Sequence, residues 1–449
     1  MEGAAIIVVK MAPFRRKVRR VTRAAGWLDL FFFIGISRIL AGQRTSHKPK
    51  KRSSSAKEQY RLKRKQSGFI AHIFRDFGSS LSLKHVQQTL IHDLMMFHVV
   101  KKVTTYFCLM VFLAAIQPAR GATIGSQILD IPFPYSDTPN IIETSEGLLM
   151  VWASGTREGY LDVKLYRSHW NGRSWTAPQQ VAAYADERSG IQEACWNPVL
   201  IQGPEHQLAL FYQVGSDRAS WEGRMKFSYD GGHSWTPPKE LPKGFHGPVK
   251  NKSVELPDGK YLCPSSQAVA GWQVQLEFAT PFRENWGWRK TKPLNSPNEY
   301  RSTDPAILMH DAENIQVLNR SKQGYMTELW THNGTKTWSE MKRGPLPNPN
   351  SAFDVIKIHD GRFVLVYNHS PRFTDRINLA VSSDGKQWEA VGVLDQAPST
   401  RLENPSIIQS RNGHLHLVYV INQNRFKHVR LDPTAFQTKP IVDGAWPVN

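Results

Sequence analysis

Apolar and polar positions along residues 122–449 come in short bursts: an apolar run, a tight polar turn, then a second apolar run. Six segments share this plan. They are Asn140 to Trp152 about Glu146-Gly147, Pro198 to Tyr212 about Glu205-His206, and Ser253 to Leu262 about Asp258-Gly259. Ala306 to Leu318 about Glu313-Asn314, Val355 to Tyr367 about Asp360-Gly361 and Ser406 to Tyr419 about Asn412-Gly413 complete the set. Each predicts a β-hairpin, most strongly at Asp-Gly and Asn-Gly, because both central residues of a type I′ turn take positive φ. Counted at 147, 206, 259, 313, 361 and 413, the turns are 59, 53, 54, 48 and 52 residues apart. Helical periodicity is absent from the pattern, which sets aside a helical solenoid.

Trp175, Trp235, Trp288, Trp338 and Trp388 follow the first five turns by 28, 29, 29, 25 and 27 residues. A four-stranded propeller blade has about this length, and radial repetition leaves only short, protected sheet edges. The predicted fold class is all-β: a six-bladed β-propeller of four-stranded blades over 122–449. The sixth turn lacks a tryptophan, which reads as ring closure, with a strand near Ile124 to Ile131 completing the last blade.

Two of the tryptophans end a fuller motif. Ser228, Asp230, Gly232 and Trp235 fit S-x-D-x-G-x-x-W, and Ser382, Asp384, Gly385 and Trp388 fit a version one residue shorter. Ser168 to Trp175 and Thr331 to Trp338 are degenerate copies. These are hairpin tips in which the Asp bonds backbone amides, the Gly takes positive φ and the Trp packs between blades. Their role is structural.

Charge separates this body from what precedes it. The net charge of +19 suggests nucleic acid until it is mapped: residues 1–120 hold 23 Lys+Arg against 5 Asp+Glu, leaving the body almost neutral. Residues 1–94 read as a basic, largely disordered extension, and nucleic acid is not expected as a partner. Residues 95–121 differ. Lys101-Lys102, the apolar run Tyr106 to Ile116 and the exit Gln117 to Ala122 are the parts of a secretory signal. Two explanations fit: Met95 or Met96 is the true start, which is preferred, or 103–116 is an uncleaved anchor with a basic cytoplasmic tail. Export is expected on the first, membrane anchoring on the second. Cys195 and Cys263 permit one disulfide without implying it. The sequons at Asn251, Asn319, Asn333 and Asn368 agree with export.

In a propeller the axis is reached by residues just before each innermost strand and just after the second. Before the inner strands stand Asp137, Asn197, Lys250, Asn251, Lys252, Asp304, Asp354, Glu403 and Asn404. After the second strands stand Arg157, Glu158, Gln213, Ser265 to Gln267, Arg320, Tyr367, Asn368 and Asn422. Carboxylates and cations converging on one concavity are the equipment of glycoside chemistry, although a solvated channel mouth with internal ion pairs would show the same composition.

Gly155 to Gly159, Trp196 to Val199, Gly247 to Lys252, Pro264 to Ser266, Leu346 to Ser351 and Phe426 to Val429 resemble the predicted-neuraminidase branch of the sialidase superfamily. The full tip motif matches that superfamily's Asp-box. The likeness covers about 130–435 and implies a sialidase-like propeller and an exo-glycosidase needing no cofactor and no metal. In that family three arginines hold the substrate carboxylate, a Tyr–Glu pair supplies nucleophile and base, and an Asp is the acid/base. This chain departs in three places: Asp137 stands where the first arginine is expected, Gln267-Ala268 where a Glu follows the Ser-Ser pair, and Asn404 where many relatives have Tyr.

Two functions compete: an exported glycoside hydrolase acting on terminal acidic sugars, or a catalytically silent carbohydrate-binding propeller of the same ancestry. On the first, Glu158 is the expected general acid and Asp354 the second carboxylate. Arg157, Asp162, Asn197, Lys250, Asn251, Lys252, Arg320, Asn350, Tyr367 and Asn404 are the expected substrate-binding residues, and a glycan is the expected partner.

Overall fold

The structure, a computed structural model, describes residues 122–185, 190–203, 206–268 and 271–447. The extension expected over 1–94 and the signal or anchor expected over 95–121 lie outside the described residues.

The body is a six-bladed all-β propeller. Its innermost strands are Tyr135–Thr144, Cys195–Gln202, Val254–Glu255, Ser302–Met309, Asp354–Lys357 and Leu402–Gln409, and each blade runs outward from these by antiparallel hairpins. Among the described residues there is no α-helix, and Pro433–Ala435 forms a 3₁₀ turn. The second strands explain the near-continuous apolar runs: Leu208–Val214, Phe363–Tyr367 and Leu415–Ile421 are buried at every residue. A neighbouring blade covers each of them on both faces, so no polar face is needed.

The ring closes where the sixth tryptophan is missing. Thr123–Asp130 pairs antiparallel with Arg425–Leu431 and supplies the outer strand of the sixth blade. The fifth blade departs from four strands, because Lys439–Pro440 pairs with Glu389–Gln396 and covers its open edge.

Buried apolar side chains gather in six clusters, one in each seam between blades. Each of the five spaced tryptophans joins the seam between its own blade and the one before. The seam between the fifth and sixth blades has Phe436 instead.

At the tips, Asp230 accepts the Ser234 N–H at 2.9 Å, Gly232 N–H donates to Ser228 Oγ at 2.8 Å, and Trp235 Nε1 donates to Gly232 O at 3.0 Å. Asp384 accepts from Lys386 N and Gln387 N, both at 2.8 Å, and Trp388 Nε1 donates to Gly385 O. These carboxylates are used up inside their turns.

Cys195 and Cys263 are buried free thiols in different seams, so no disulfide joins them. Of the sequons, Asn251, Asn319 and Asn368 are buried. Asn333 is not.

Candidate functional site

Each blade contributes one non-glycine residue with left-handed backbone in or just before its innermost strand: Thr138 (φ 50°), Asn197 (43°), Lys250 (68°), Asp304 (48°), Asn350 (63°) and Asn404 (50°). Four of them precede proline, at Pro139, Pro198, Pro305 and Pro405. At those four the strand pairing slips, between Asp137 and Asn140, Trp196 and Val199, Thr303 and Ala306, and Glu403 and Ser406. Proline cannot donate to the ladder, so the chain bulges there and re-aims the preceding side chain. All six left-handed residues line one axial cavity of about 180 Å³.

Its charged groups are tightly partnered. Asp304 is buried and accepts an ion pair from Arg320 Nε at 2.8 Å and another from Arg218 Nη1 at 3.3 Å. Burial raises its pKa, but the Arg320 and Arg218 guanidiniums outweigh burial and hold it down to about 2. Arg320 Nη1 also donates to Asn350 O at 2.8 Å. Arg218 lies over the rings of Trp221 and Trp272 at 5.1 and 5.7 Å.

Asp137, on the innermost strand of the first blade, is 5% exposed. Its Oδ1 accepts Thr138 N–H at 2.8 Å and the Asn404 amide at 2.5 Å. Burial pushes its pKa up to about 6 against these bonds, and Glu403 and Glu158 add to the rise. Burial, followed by Asp137 and Glu158, also carries the Tyr135 hydroxyl well above the ordinary tyrosine range. Lys250 Nζ donates to Pro405 O across the axis at 2.9 Å, and burial lowers its pKa to about 8.

Of the residues expected from the sequence, Glu158, Asn197, Lys250, Arg320, Asn350 and Asn404 line the cavity. Glu158 sits exposed at its lip, with Oε2 accepting from Gln423 Nε2 at 3.3 Å. Asp354 does not join it. It is 2% exposed, pairs with Lys252, and accepts Ile407 N–H at 2.9 Å. Lys252 also donates to Ser406 Oγ at 3.0 Å, so the pair joins the third, fifth and sixth blades. That corrects the expectation of two carboxylates facing each other as Glu158 and Asp354: a carboxylate enclosed by an ammonium and backbone amides cannot reach a substrate.

The remaining expected residues are placed elsewhere. Asn251 Nδ2 donates to Asp304 O and Pro305 O, fastening the next blade's bulge. Asp162 accepts Thr156 N–H at 3.1 Å and so closes the loop that presents Glu158. Arg157 lies over the Tyr160 ring at 5.8 Å. The buried Tyr367 hydroxyl meets His369 Nδ1 at 2.5 Å. Ala268 lines a narrow slot beside Arg218 and Trp272.

Sequence reasoning missed Tyr135, Arg218, Arg401 and Gln423 as cavity-lining groups. Arg401 pairs with Glu403 at 2.8 Å. The two departures Asp137 and Asn404 lie 267 residues apart in the chain. Nothing in the linear sequence shows that they touch.

The fold is that of a sialidase-like propeller. The chain belongs to the BNR repeat-like domain family, whose pattern matches residues 146–417. No curated protein matches it in sequence. Among solved structures it is similar to a protein of unknown function from Dyadobacter fermentans, with a TM-score of 0.57 at 12% identity over 70% of this chain and 99% of that one. It is also similar to the NanB sialidase of Streptococcus pneumoniae, with a TM-score of 0.55 at 12% identity over 72% and 71%. The sialidase of Trypanosoma rangeli, solved with sialic acid, gives 0.51 at 13% identity over 71% and 57%. At such identities the likeness speaks for the fold.

Proposed function

We propose that the protein is a glycoside hydrolase of sialidase type that draws a terminal acidic sugar into the axial cavity and cleaves it from its chain. One observation carries this reading: all six blades deliver a left-handed polar residue to one cavity in which carboxylates and guanidiniums are gathered. Backbone strain of about 1–3 kcal/mol per residue is kept where a site needs it.

Glu158 is the general acid. Its place on the exposed lip suits a leaving group that points toward solvent while the sugar sits below. Asp137 and Glu403 stabilise the positive charge that develops on the ring. Arg218 and Arg320 take the sugar's anionic group. Asp354, Lys252 and Asn251 hold the blades that carry these groups. Because Asp137 meets the position where relatives hold a carboxylate, ordinary sialosides should be poor substrates.

The test is a panel of aryl glycosides, including a sialoside, with the purified protein and Glu158→Gln. The amide keeps the shape and loses the proton, so kcat should fall roughly two to four orders of magnitude with binding retained. Full activity in the variant rejects the acid assignment. Binding without turnover by the wild type supports the silent carbohydrate-binding reading, which the neutral Asn404 on Asp137 favours. The proposal extends to export through a signal at 95–121, with the mature chain starting near Ala122 or Thr123. N-terminal sequencing of the secreted product checks it, and residues 1–94 on a nuclear or cytosolic species would refute it.

A further inference from the structure

The charges on the cavity wall are sorted by side. On the sixth and first blades Glu403 and Asp137 stand with one cation, Arg401, which pairs with Glu403. Asp137 receives neutral donors, Thr138 N–H and the Asn404 amide on Oδ1, with the Tyr135 hydroxyl beside it. Across the ring the fourth blade stands opposite the first, and there Asp304 is shared by Arg320 and Arg218. One wall therefore holds two carboxylates against one guanidinium, and the other two guanidiniums against one carboxylate. Lys250 Nζ is turned to the Pro405 carbonyl and acts on Asp137 and Asp304 only through space, and Glu158 is reserved for the proton transfer.

An unmatched charge in a partly buried wall is costly until a ligand supplies its complement. A neutral sugar satisfies neither wall. A purely acidic sugar satisfies the arginine wall and leaves Asp137 with no direct ion-pair partner.

We infer that the cavity takes an amino sugar whose unacetylated amine, next to the anomeric carbon, faces Asp137 and Glu403, while an anionic group such as a sulfate on the far side of the ring faces Arg218 and Arg320. The orientation rests on the hydrolase reading, which sets the anomeric carbon near Glu158 on the same blade as Asp137. An ammonium beside that carbon opposes the positive charge developing there during cleavage. Two carboxylates next to both groups offset that opposition. On this view Asp137 and Asn404 are specificity determinants that replaced an arginine-based carboxylate clamp.

The experiment measures binding of glucosamine 6-sulfate, N-acetylglucosamine 6-sulfate and glucosamine to the full chain by calorimetry or ligand-observed NMR. Each charge-assisted contact should contribute roughly tenfold in Kd, so glucosamine 6-sulfate should bind about tenfold more tightly than either comparison sugar. Asp137→Asn should bring the amine preference within about twofold and keep the sulfate preference. Arg218→Ala should do the reverse. Glu403→Gln provides a second reading of the amine wall where Asp137→Asn folds poorly. Equal or tighter binding of the N-acetylated sugar, or an amine preference that survives both carboxylate variants, overturns the inference. Aryl glycosides assayed alongside separate the two ideas. An amine preference without turnover rejects hydrolysis alone, and turnover without an amine preference rejects this specificity alone.

Discussion

Replacing Asp304 by Asn should destabilise the propeller and change its acid response. Asp304 is 4% exposed and is the carboxylate paired with the buried Arg320. Removing one member of a buried pair leaves the other charged and uncompensated, at a cost of about 3–5 kcal/mol. Proton linkage gives a second measure. A carboxyl at about 2 instead of 3.8 contributes about 2.5 kcal/mol of stability. Because the folded pKa is depressed, that contribution is present above about pH 4 and is lost as the pH falls through 2. Asp304→Asn should therefore lower Tm by roughly 5–10 °C at pH 7, and its deficit should shrink between pH 4 and 2. Asp304→Asn combined with Arg320→Met should recover much of the loss, since it removes the stranded cation. Thermal melts followed by near-UV circular dichroism measure all three. A shift below about 2 °C at pH 7, or a double variant worse than the single one, refutes the reasoning.

Glu277 is fully buried, accepts His246 N–H at 3.0 Å and Gly247 N–H at 2.8 Å, and is pushed by burial up to about 7. A raised carboxyl pKa withdraws stability as pH climbs from about 4.5 through 7. Denaturation curves should show this decline for the wild type and a flatter profile for Glu277→Gln in the same window. A Cβ on Gly232, at φ 94°, would stand 2.5 Å from Leu149 Cδ2 across a seam. Gly232→Ala should cost about 1–3 kcal/mol by chemical denaturation. Trp388, 3% exposed in the seam between the fourth and fifth blades, should cost about 3–5 kcal/mol when replaced by Ala, by the same measurement.

The fold was readable because its signals are local and repeated. Asp258-Gly259 and Asn412-Gly413 announce hairpins within two residues, and Trp235 or Trp388 reports its seam from within its own blade. The missing sixth tryptophan marked ring closure for the same reason. The site was most directly readable where a polar residue precedes proline, as at Asn197 and Asn404, because the bulge that aims the side chain is written in that dipeptide, whereas Glu158, Lys250 and Arg320 were legible from their places at strand ends. Asp354 shows the limit. In its blade the left-handed residue is Asn350, ahead of the strand, and pairing runs without a slip from Asp354 opposite Val366. Its carboxylate is consequently directed to Lys252 and not to the cavity. Arg218 lies past Gly215 in the loop after Val214 and reaches Asp304, 86 residues on. Nothing in its neighbours specifies that crossing.

The six strained residues bring fold and chemistry together. A propeller needs hairpins, seams and closure, and none of these requires a non-glycine residue in left-handed backbone at the head of every blade. Asn and Asp adopt that region at modest cost, which accounts for Asn197, Asp304, Asn350 and Asn404. Thr138 has a β-branched side chain and Lys250 carries a buried ammonium, so neither has that excuse. Proline after four of the six restricts the preceding residue toward extended backbone, which adds to the strain. Glycine would relieve the conformational penalty at any of these positions, yet the ring has side chains at all six. Their shared property is that each lines the same cavity. On the proposed function, the strain is kept to hold these side chains at the cavity, where the carboxylates of Asp137 and Glu403 and the guanidiniums of Arg218 and Arg320 would meet the sugar.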